Sequence, residues 1–237
     1  MKPDGDDGAV RSVLRTFDLL ALFTERHRTW TVKDLTAASG LAKTTVLRLV
    51  ATCEQRGLLW TRPDGRITVG PGMLRWAQLA NSAWQLPEPV RQVLRELAAG
   101  CGETVNLYVR SSSVLVCVAQ QEGTRAIRHV GRVGDELPLD CGAAGQVLGG
   151  GTAGAASVAA PVHDGGTPSA AVSHGQPEAG ASSVAAPVHD GEGRVLAALT
   201  LTGPAGRFGD AEVAAFCEAV TAAARRISQI GLGTRTE

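Results

Sequence analysis

Apolar residues recur at three- and four-residue steps over residues 10–23: Val10, Val13, Leu14, Phe17, Leu20 and Ala21 fall together, with Arg11, Arg15 and Asp18 on other faces. That spacing predicts an amphipathic helix. After a polar link over 24–29, Thr31 is placed to N-cap a short helix over 32–38. Ser39, Gly40 and Leu41 form a three-residue break in which Gly40 suits a positive φ. A second helix is predicted over 42–55, with Gly57 as its stop and with Val46, Leu49 and Val50 facing a core alongside Leu35. Residues 58–61 (LLWT) and 66–69 (RITV) are strand-like on either side of the turn Pro63-Asp64-Gly65. Helix, three-residue turn, helix and hairpin in that order predict a winged helix-turn-helix.

The pattern continues with a second amphipathic stretch over 71–86, where Met73, Trp76, Ala77, Ala80, Ala83 and Trp84 make an apolar stripe. A connecting helix cannot bury such a stripe alone, so either a partner helix or its own domain must cover it. Pro87-Glu88-Pro89 breaks the chain, and residues 90–99 read as a helix stopped by Gly100. Residues 104–110 (TVNLYVR) and 114–119 (VLVCVA) form a hairpin about the turn 111–113. A second hairpin joins 184–188 to 194–202 through the turn 189–193. From Asp210 a terminal helix follows, its Val213, Phe216, Cys217, Val220, Ala223, Ala224 and Ile227 giving the strongest periodicity in the chain. Antiparallel hairpins with flanking helices predict an α+β carboxy-terminal domain.

Composition narrows the function classes. At 237 residues and 44% apolar content, the chain can pack one large or two modest cores. No apolar run approaches the ~20 residues of a membrane-spanning helix, and the acidic start MKPDGDDG is no secretory signal, so a cytoplasmic protein without a membrane partner is expected. Five scattered cysteines without a Cys-x-x-Cys pair suit core thiols rather than a disulfide framework or zinc site. The net charge of zero hides an asymmetry: residues 9–85 hold eleven Lys/Arg against five Asp/Glu, while 86–237 hold eleven against fifteen. Only the first third is therefore expected to meet a polyanion.

That places the candidate chemistry. Lys43, Thr44, Thr45 and Arg48 fall at the start and outer side of the second short helix. The start of such a helix can reach base edges in a major groove, and its free N–H groups favour phosphate. Arg62 and Arg66 flank the hairpin tip and, with Arg11 and Arg15, suit contact with the backbone of double-stranded DNA. In the second domain, Gly142, Ala143, Ala144 and Gly145 let a ligand approach the backbone within the segment 137–145 (LPLDCGAAG). Thr200 and Thr202 alternate with Leu199 and Leu201, so both hydroxyls share one face, and Ser183 lies at the mouth of the strand over 184–188. Small hydroxyl residues in an apolar pocket suit a small carboxylate or hydroxy acid. A small-molecule-binding or enzymatic domain with a helical appendage is the alternative reading.

Taken together, residues 11–20, the stretch TVKDLTAASGLAKTTVLRLVATCEQRGLL and the stretch PDGRITVGPGML resemble the DNA-binding domain of the IclR family of bacterial transcription regulators. GETVNLYV, VGDELPLDCGAAGQVL and SSVAAPVHDGEGRVLAALTLTGP resemble that family's effector domain. The resemblance implies a non-enzymatic regulator without a cofactor, acting as a repressor on a pseudo-palindromic operator as a homodimer or homotetramer. It implies pairing through the connecting helix and a GAF-like sheet with helices on one face and a ligand pocket on the other. It also implies effector contacts from Ala143, Ser183, Thr200 and Thr202 and from a position near Ser173, to which the reading of the segment 137–145 adds Leu137, Leu139, Gly142 and Ala144 as expected contacts. The expected organisation is a tail (1–9), the winged helix-turn-helix (10–70), a dimerising linker helix (71–89), the effector domain (90–232) and a tail (233–237).

One stretch departs from the family. Residues 149–172 are short of the family's usual segment, carry one charge and show no helical pattern. Residues 157–165 (SVAAPVHDG) are repeated without change at 183–191. The second copy matches the family; the first is expected as a loop, an extra edge strand, or a competitor for the same pairing. Gly149, Gly151 and Gly154 satisfy G-x-G-x-x-G but lack a preceding strand and following helix. Residues 40–44 (GLAKT) lack the loop of a phosphate-binding motif, and His163-Asp164 and His189-Asp190 sit in expected turns rather than at a metal. His27 and His129 are expected at the surface.

Overall fold

The computed structural model describes residues 9–129, 131–149, 162–164, 167–176 and 178–233, with backbone alone for 162–164 and 167–169. Two compact units divide between Ala83 and Trp84, inside the stretch expected as a linker.

In the first unit, helix α1 (Arg11–Ala21) precedes the two-residue strand β1 (Thr29–Trp30) and helix α2 (Val32–Ser39). The Thr31 hydroxyl caps α2 by accepting from Asp34 N at 3.2 Å, and Gly40 ends it at φ 65°. Thr31→Ala is expected to cost about 1 kcal/mol of stability, read as a lowered denaturation midpoint. Helix α3 (Lys43–Gln55) follows at once. Its Val46, Val50 and Cys53 join Leu19, Leu35, Leu59 and Ile67 in the core. Strands β2 (Leu59–Thr61) and β3 (Ile67–Val69) pair antiparallel, and β1 pairs with β3 on its other side. This is the expected wing. The chain crosses itself at the wing's base, where a Cβ on Gly70 would run into the Gly57 carbonyl.

The α1 stripe behaves differently from its pattern. Leu19, outside the stripe, is the residue fully buried, while Val10, Val13, Leu14 and Phe17 stay exposed. Helix α4 (Met73–Ala83) buries no residue at all, leaving Leu74, Trp76 and Leu79 exposed.

The second unit opens with α5 (Glu88–Cys101), for which Pro87 is the N-cap. Pro89 lies within the first turn, which tolerates proline because the N–H groups there have no intrahelical partner to lose. The expected stop at Gly100 is corrected: the helix runs through it and ends at Gly102, whose φ of 75° is left-handed. Strands β4 (Thr104–Ser111), β5 (Val114–Gln121), β6 (Glu136–Pro138), β7 (Val162–Asp164), β8 (Thr167–His174), β9 (Ala181–His189) and β10 (Val195–Pro204) form a seven-stranded antiparallel sheet. Their order is β6-β5-β4-β10-β9-β8-β7.

Strand alternation gives this sheet two faces. Val105, Leu107, Val109, Val172, Val184, Ala186, Val188, Ala197, Leu199 and Leu201 form the main core with α5 and the terminal helix α7 (Asp210–Ile230). The short helix α6 (Gly142–Leu148) lies on the other face, where Ala143 packs with Ala171 and Ala185. Three residues of the first repeat copy, Val162–Asp164, form the end strand β7, so the edge-strand expectation is the one realised for them; residues 150–161 and 165–166 lie outside the described residues. No helical pattern is expected over 149–172, and its described residues from 167 onward belong to the strand β8, whose Ala170 and Val172 enter the core.

One buried carboxylate anchors the far end of this unit. Glu103 is fully buried and accepts from Arg207 Nε at 2.5 Å and Nη2 at 2.7 Å, with Arg125 Nε at 3.5 Å. Arg207 Nη2 also donates to the Ile127 carbonyl at 2.9 Å. A Cβ on Gly203 would strike Glu103, so the glycine makes room for the carboxylate. All five cysteines are free, and no helix among the described residues is long and apolar enough to cross a membrane.

Candidate nucleic-acid interface and polar sheet face

Burying Val46, Val50 and Cys53 turns the opposite side of α3 outward: Lys43, Thr44 and Arg48 are exposed and Thr45 is half-buried. Arg11 and Arg15 of α1 line one groove of about 600 Å3 together with Thr45, Arg48 and Thr52. Four of the expected DNA-contacting residues are thus gathered in one place. Arg62 and Arg66 are exposed on the wing, where Arg62 N donates to the Arg66 carbonyl at 2.8 Å across the turn. The Arg66 guanidinium stands 3.5 Å from the Thr29 hydroxyl. Sequence reasoning missed Leu47, which is 46% exposed beside Arg48. Its signal was present: it is apolar yet stands off the Val46/Val50 stripe. An exposed leucine on such a helix suits a thymine methyl group.

In the second unit, the face opposite the main core is polar over two cross-strand rows. Thr104 of β4 pairs with Thr202 of β10, which pairs with Ser183 of β9, which pairs with Ser173 of β8. In the next row Gln120 of β5 pairs with Asn106, and Asn106 with Thr200. Thr104, Asn106, Ser173, Ser183, Thr200 and Thr202 are all buried. Strand pairing therefore brings together Ser173, Ser183, Thr200 and Thr202 of the expected effector contacts.

Their hydroxyls are unequally committed. Thr200 Oγ1 donates to the Asn106 carbonyl at 3.3 Å, and Thr104 Oγ1 to the His129 carbonyl at 2.6 Å. Ser183 Oγ accepts from Ala143 N at 3.4 Å. Gly142, at φ 66°, donates its N–H to Gln176 Oε1 at 2.8 Å. The first amides of α6 are therefore already partnered within the chain. Ser173 Oγ, both side-chain polar atoms of Asn106, and Gln120 Nε2 are buried without a partner. Asn106 and Gln120 went unnoticed in the sequence, although a lone asparagine in the apolar strand TVNLYVR was their signal.

Leu137, Leu139 and Ala144 serve packing: they join Tyr108, Leu115, Cys117, Leu148 and Ala198 in a satellite cluster. Burial pushes the Cys117 thiol up to about 12 and Tyr108 well above the usual phenol range, so both stay neutral near pH 7. His129, expected at the surface, is half-buried, because its carbonyl is held by Thr104. Among the described residues, no group of His, Cys, Asp and Glu could hold a metal.

Comparison with known proteins places both units. The sequence model of the IclR helix-turn-helix domain matches residues 12–63. That of the bacterial transcriptional regulator IclR C-terminal domain matches 79–149 and 167–229. The regulator KipR of Bacillus subtilis (strain 168) is 29% identical over 133 residues, 56% of this chain and 53% of its own length. The chain spans about half the length of the curated relatives it matches. A crystal structure of an IclR-family regulator from Rhodococcus sp. aligns over 99% of this chain and 98% of its own, at 38% identity and TM-score 0.56. An IclR homolog from Microbacterium hydrocarbonoxydans, complexed with 4-hydroxybenzoate, aligns over 92% and 98% at 20% identity and TM-score 0.68, a likeness of fold. An amino-terminal helix-turn-helix and a carboxy-terminal domain that both match, over more than half of the residues, establish that this chain belongs to the IclR family of bacterial transcriptional regulators.

Proposed function

We propose that the chain is a ligand-responsive regulator that binds a pseudo-palindromic operator as a dimer or a dimer of dimers and represses transcription. The observation that carries the DNA reading is the groove in which Arg11, Arg15, Thr45 and Arg48 meet beside the exposed start of α3. Lys43, Thr44, Thr45 and Arg48 face base edges and adjacent phosphates; Arg11, Arg15, Arg62 and Arg66 hold the DNA backbone. Titrating a generic duplex at two salt concentrations tests this reading, because phosphate contacts give a steep fall in affinity with salt. A flat response would remove it. The repressor role rests on the family resemblance.

Exposed apolar surface supports self-association. Trp60, Val69, Met73 and Leu74 line a groove of about 570 Å3, beside the uncovered α4 residues Trp76 and Leu79. A second copy of α4 would cover this surface and set two recognition helices at a fixed half-site spacing. Leu74→Glu with Leu79→Glu is expected to convert the dimer to monomer in light scattering at micromolar concentration. A double variant that stays dimeric would place the interface elsewhere.

The polar sheet face would receive a small organic acid. In this reading Ser173, Ser183, Thr200 and Thr202 would meet it from the strands, Gly142, Ala143 and Ala144 from α6, and Leu137 and Leu139 would support α6 from behind by packing. The 4-hydroxybenzoate bound by the Microbacterium homolog supports a ligand of that class. Binding would shift the population between arrangements of the two winged helices and so alter operator affinity.

A further inference from the structure

Asn106 is an anomaly that the packing alone does not resolve. Its side chain is fully buried, yet neither Oδ1 nor Nδ2 has a partner. Directly across the strand pair stands Gln120, whose buried Nε2 is also unpartnered. The two carboxamides do not bond each other, although their strands are in register. The neighbouring hydroxyls commit their protons elsewhere, Thr200 to the Asn106 carbonyl and Thr104 to the His129 carbonyl, so neither donates to Asn106 Oδ1. Gly131 approaches from above, its would-be Cβ 3.2 Å from Asn106 Oδ1. A buried polar group without a partner destabilises a fold, and unpartnered atoms of two side chains meet here. Such a cost is intelligible where the fold has been kept ready for a ligand.

We propose that Asn106, with Gln120 beside it, reads a neutral hydroxyl of the effector. The inference rests on the reading of this sheet face as the effector site and adds to it the group that sets specificity. The chemistry selects among ligand groups. A carboxylate only accepts; it would satisfy the two amide donors and leave Asn106 Oδ1 facing an anion. An ammonium only donates and would leave both amides unused. A hydroxyl accepts from Nδ2 or Nε2 and donates to Oδ1, so it complements the pair. Whichever way the Asn106 carboxamide is turned, it presents one acceptor and two donors. The neighbouring Tyr108 and Cys117 stay protonated near pH 7, so neither adds charge to this end of the sheet.

Isothermal titration of the full-length protein tests this with three matched pairs: 4-hydroxybenzoate and benzoate, 3-hydroxybutyrate and butyrate, lactate and propionate. At least one hydroxylated acid is expected to bind about tenfold or more tighter than its deoxy partner, because the analogue leaves polar groups unpaired. Asn106→Leu should abolish that preference while raising the thermal midpoint of the ligand-free protein, since it removes an unpaired buried carboxamide. Gln120→Met should reduce the preference with the fold intact. Equal binding within every pair, or a preference that survives Asn106→Leu, overturns the hydroxyl reading and leaves the acid effector standing. Binding of none of the six overturns the acid effector itself, and the hydroxyl reading with it.

Discussion

Arg48→Ala is expected to bind the operator some 5- to 150-fold more weakly, a loss of ~1–3 kcal/mol, and to discriminate less among related sequences. The reason lies in the helix that carries it. Val46 and Val50 face the core, which fixes the rotation of α3 and leaves Arg48 exposed on the outer side. A guanidinium there can make a bidentate contact with a guanine edge. Arg11 and Arg15 border the same groove from α1 and would meet phosphates. Replacing those two by alanine should weaken all duplexes alike and make the logarithmic salt slope shallower by about 2. The operator can be recovered by a chromosomal footprint and then compared with a scrambled duplex by fluorescence anisotropy. An Arg48→Ala loss of equal size on both duplexes would reassign Arg48 to the DNA backbone.

Arg207→Ala is expected to destabilise the carboxy-terminal unit by about 3–5 kcal/mol, because it strips the bidentate partner from a fully buried carboxylate. In a chain of this size that corresponds to a thermal midpoint lowered by roughly 10 °C. Arg125, at 3.5 Å and more exposed, retains part of the pairing and holds the loss toward the lower end. The double replacement Glu103→Leu with Arg207→Met should recover much of the stability, since it removes the desolvated charge along with its partner. Calorimetry of the single and double variants measures both effects. A single variant within ~0.5 kcal/mol of the parent would mean that Glu103 finds adequate compensation without Arg207.

The elements most legible in the sequence were those whose local chemistry agreed with their packing. Thr31 and Gly40 bracket α2 because a hydroxyl cap and a left-handed glycine are local requirements. The Val46/Val50 spacing gave α3 its inward face for the same reason. The α1 stripe misled because apolar spacing reports which residues share a face, not whether this chain covers that face; Phe17 shares the stripe and remains exposed. Gly100 and Gly102 are equivalent by residue type, and only the observed φ distinguishes the stop. Strand β8 was hidden because TPSAAVSH has weak strand preference; neighbours on both sides hold it. The site divided similarly. Thr200 and Thr202 declared themselves by alternation within one strand. Asn106 needed its cross-strand partner Gln120, 14 positions away, before its unmet hydrogen bonds acquired meaning.

Strand β8 is bordered by β9 from the second repeat copy and by β7 from the first. Loss of the 26 residues from Ser157 up to Ser183 would remove β7 and β8 in one event and set Ala155 and Ala156 where Ala181 and Ser182 stand. The pairings of β9 with β10 and of β10 with β4 would survive, while Ser173 would vanish. The duplication is thus a seam at which the β7–β8 edge could be removed while the remaining strand pairings of the sheet are kept.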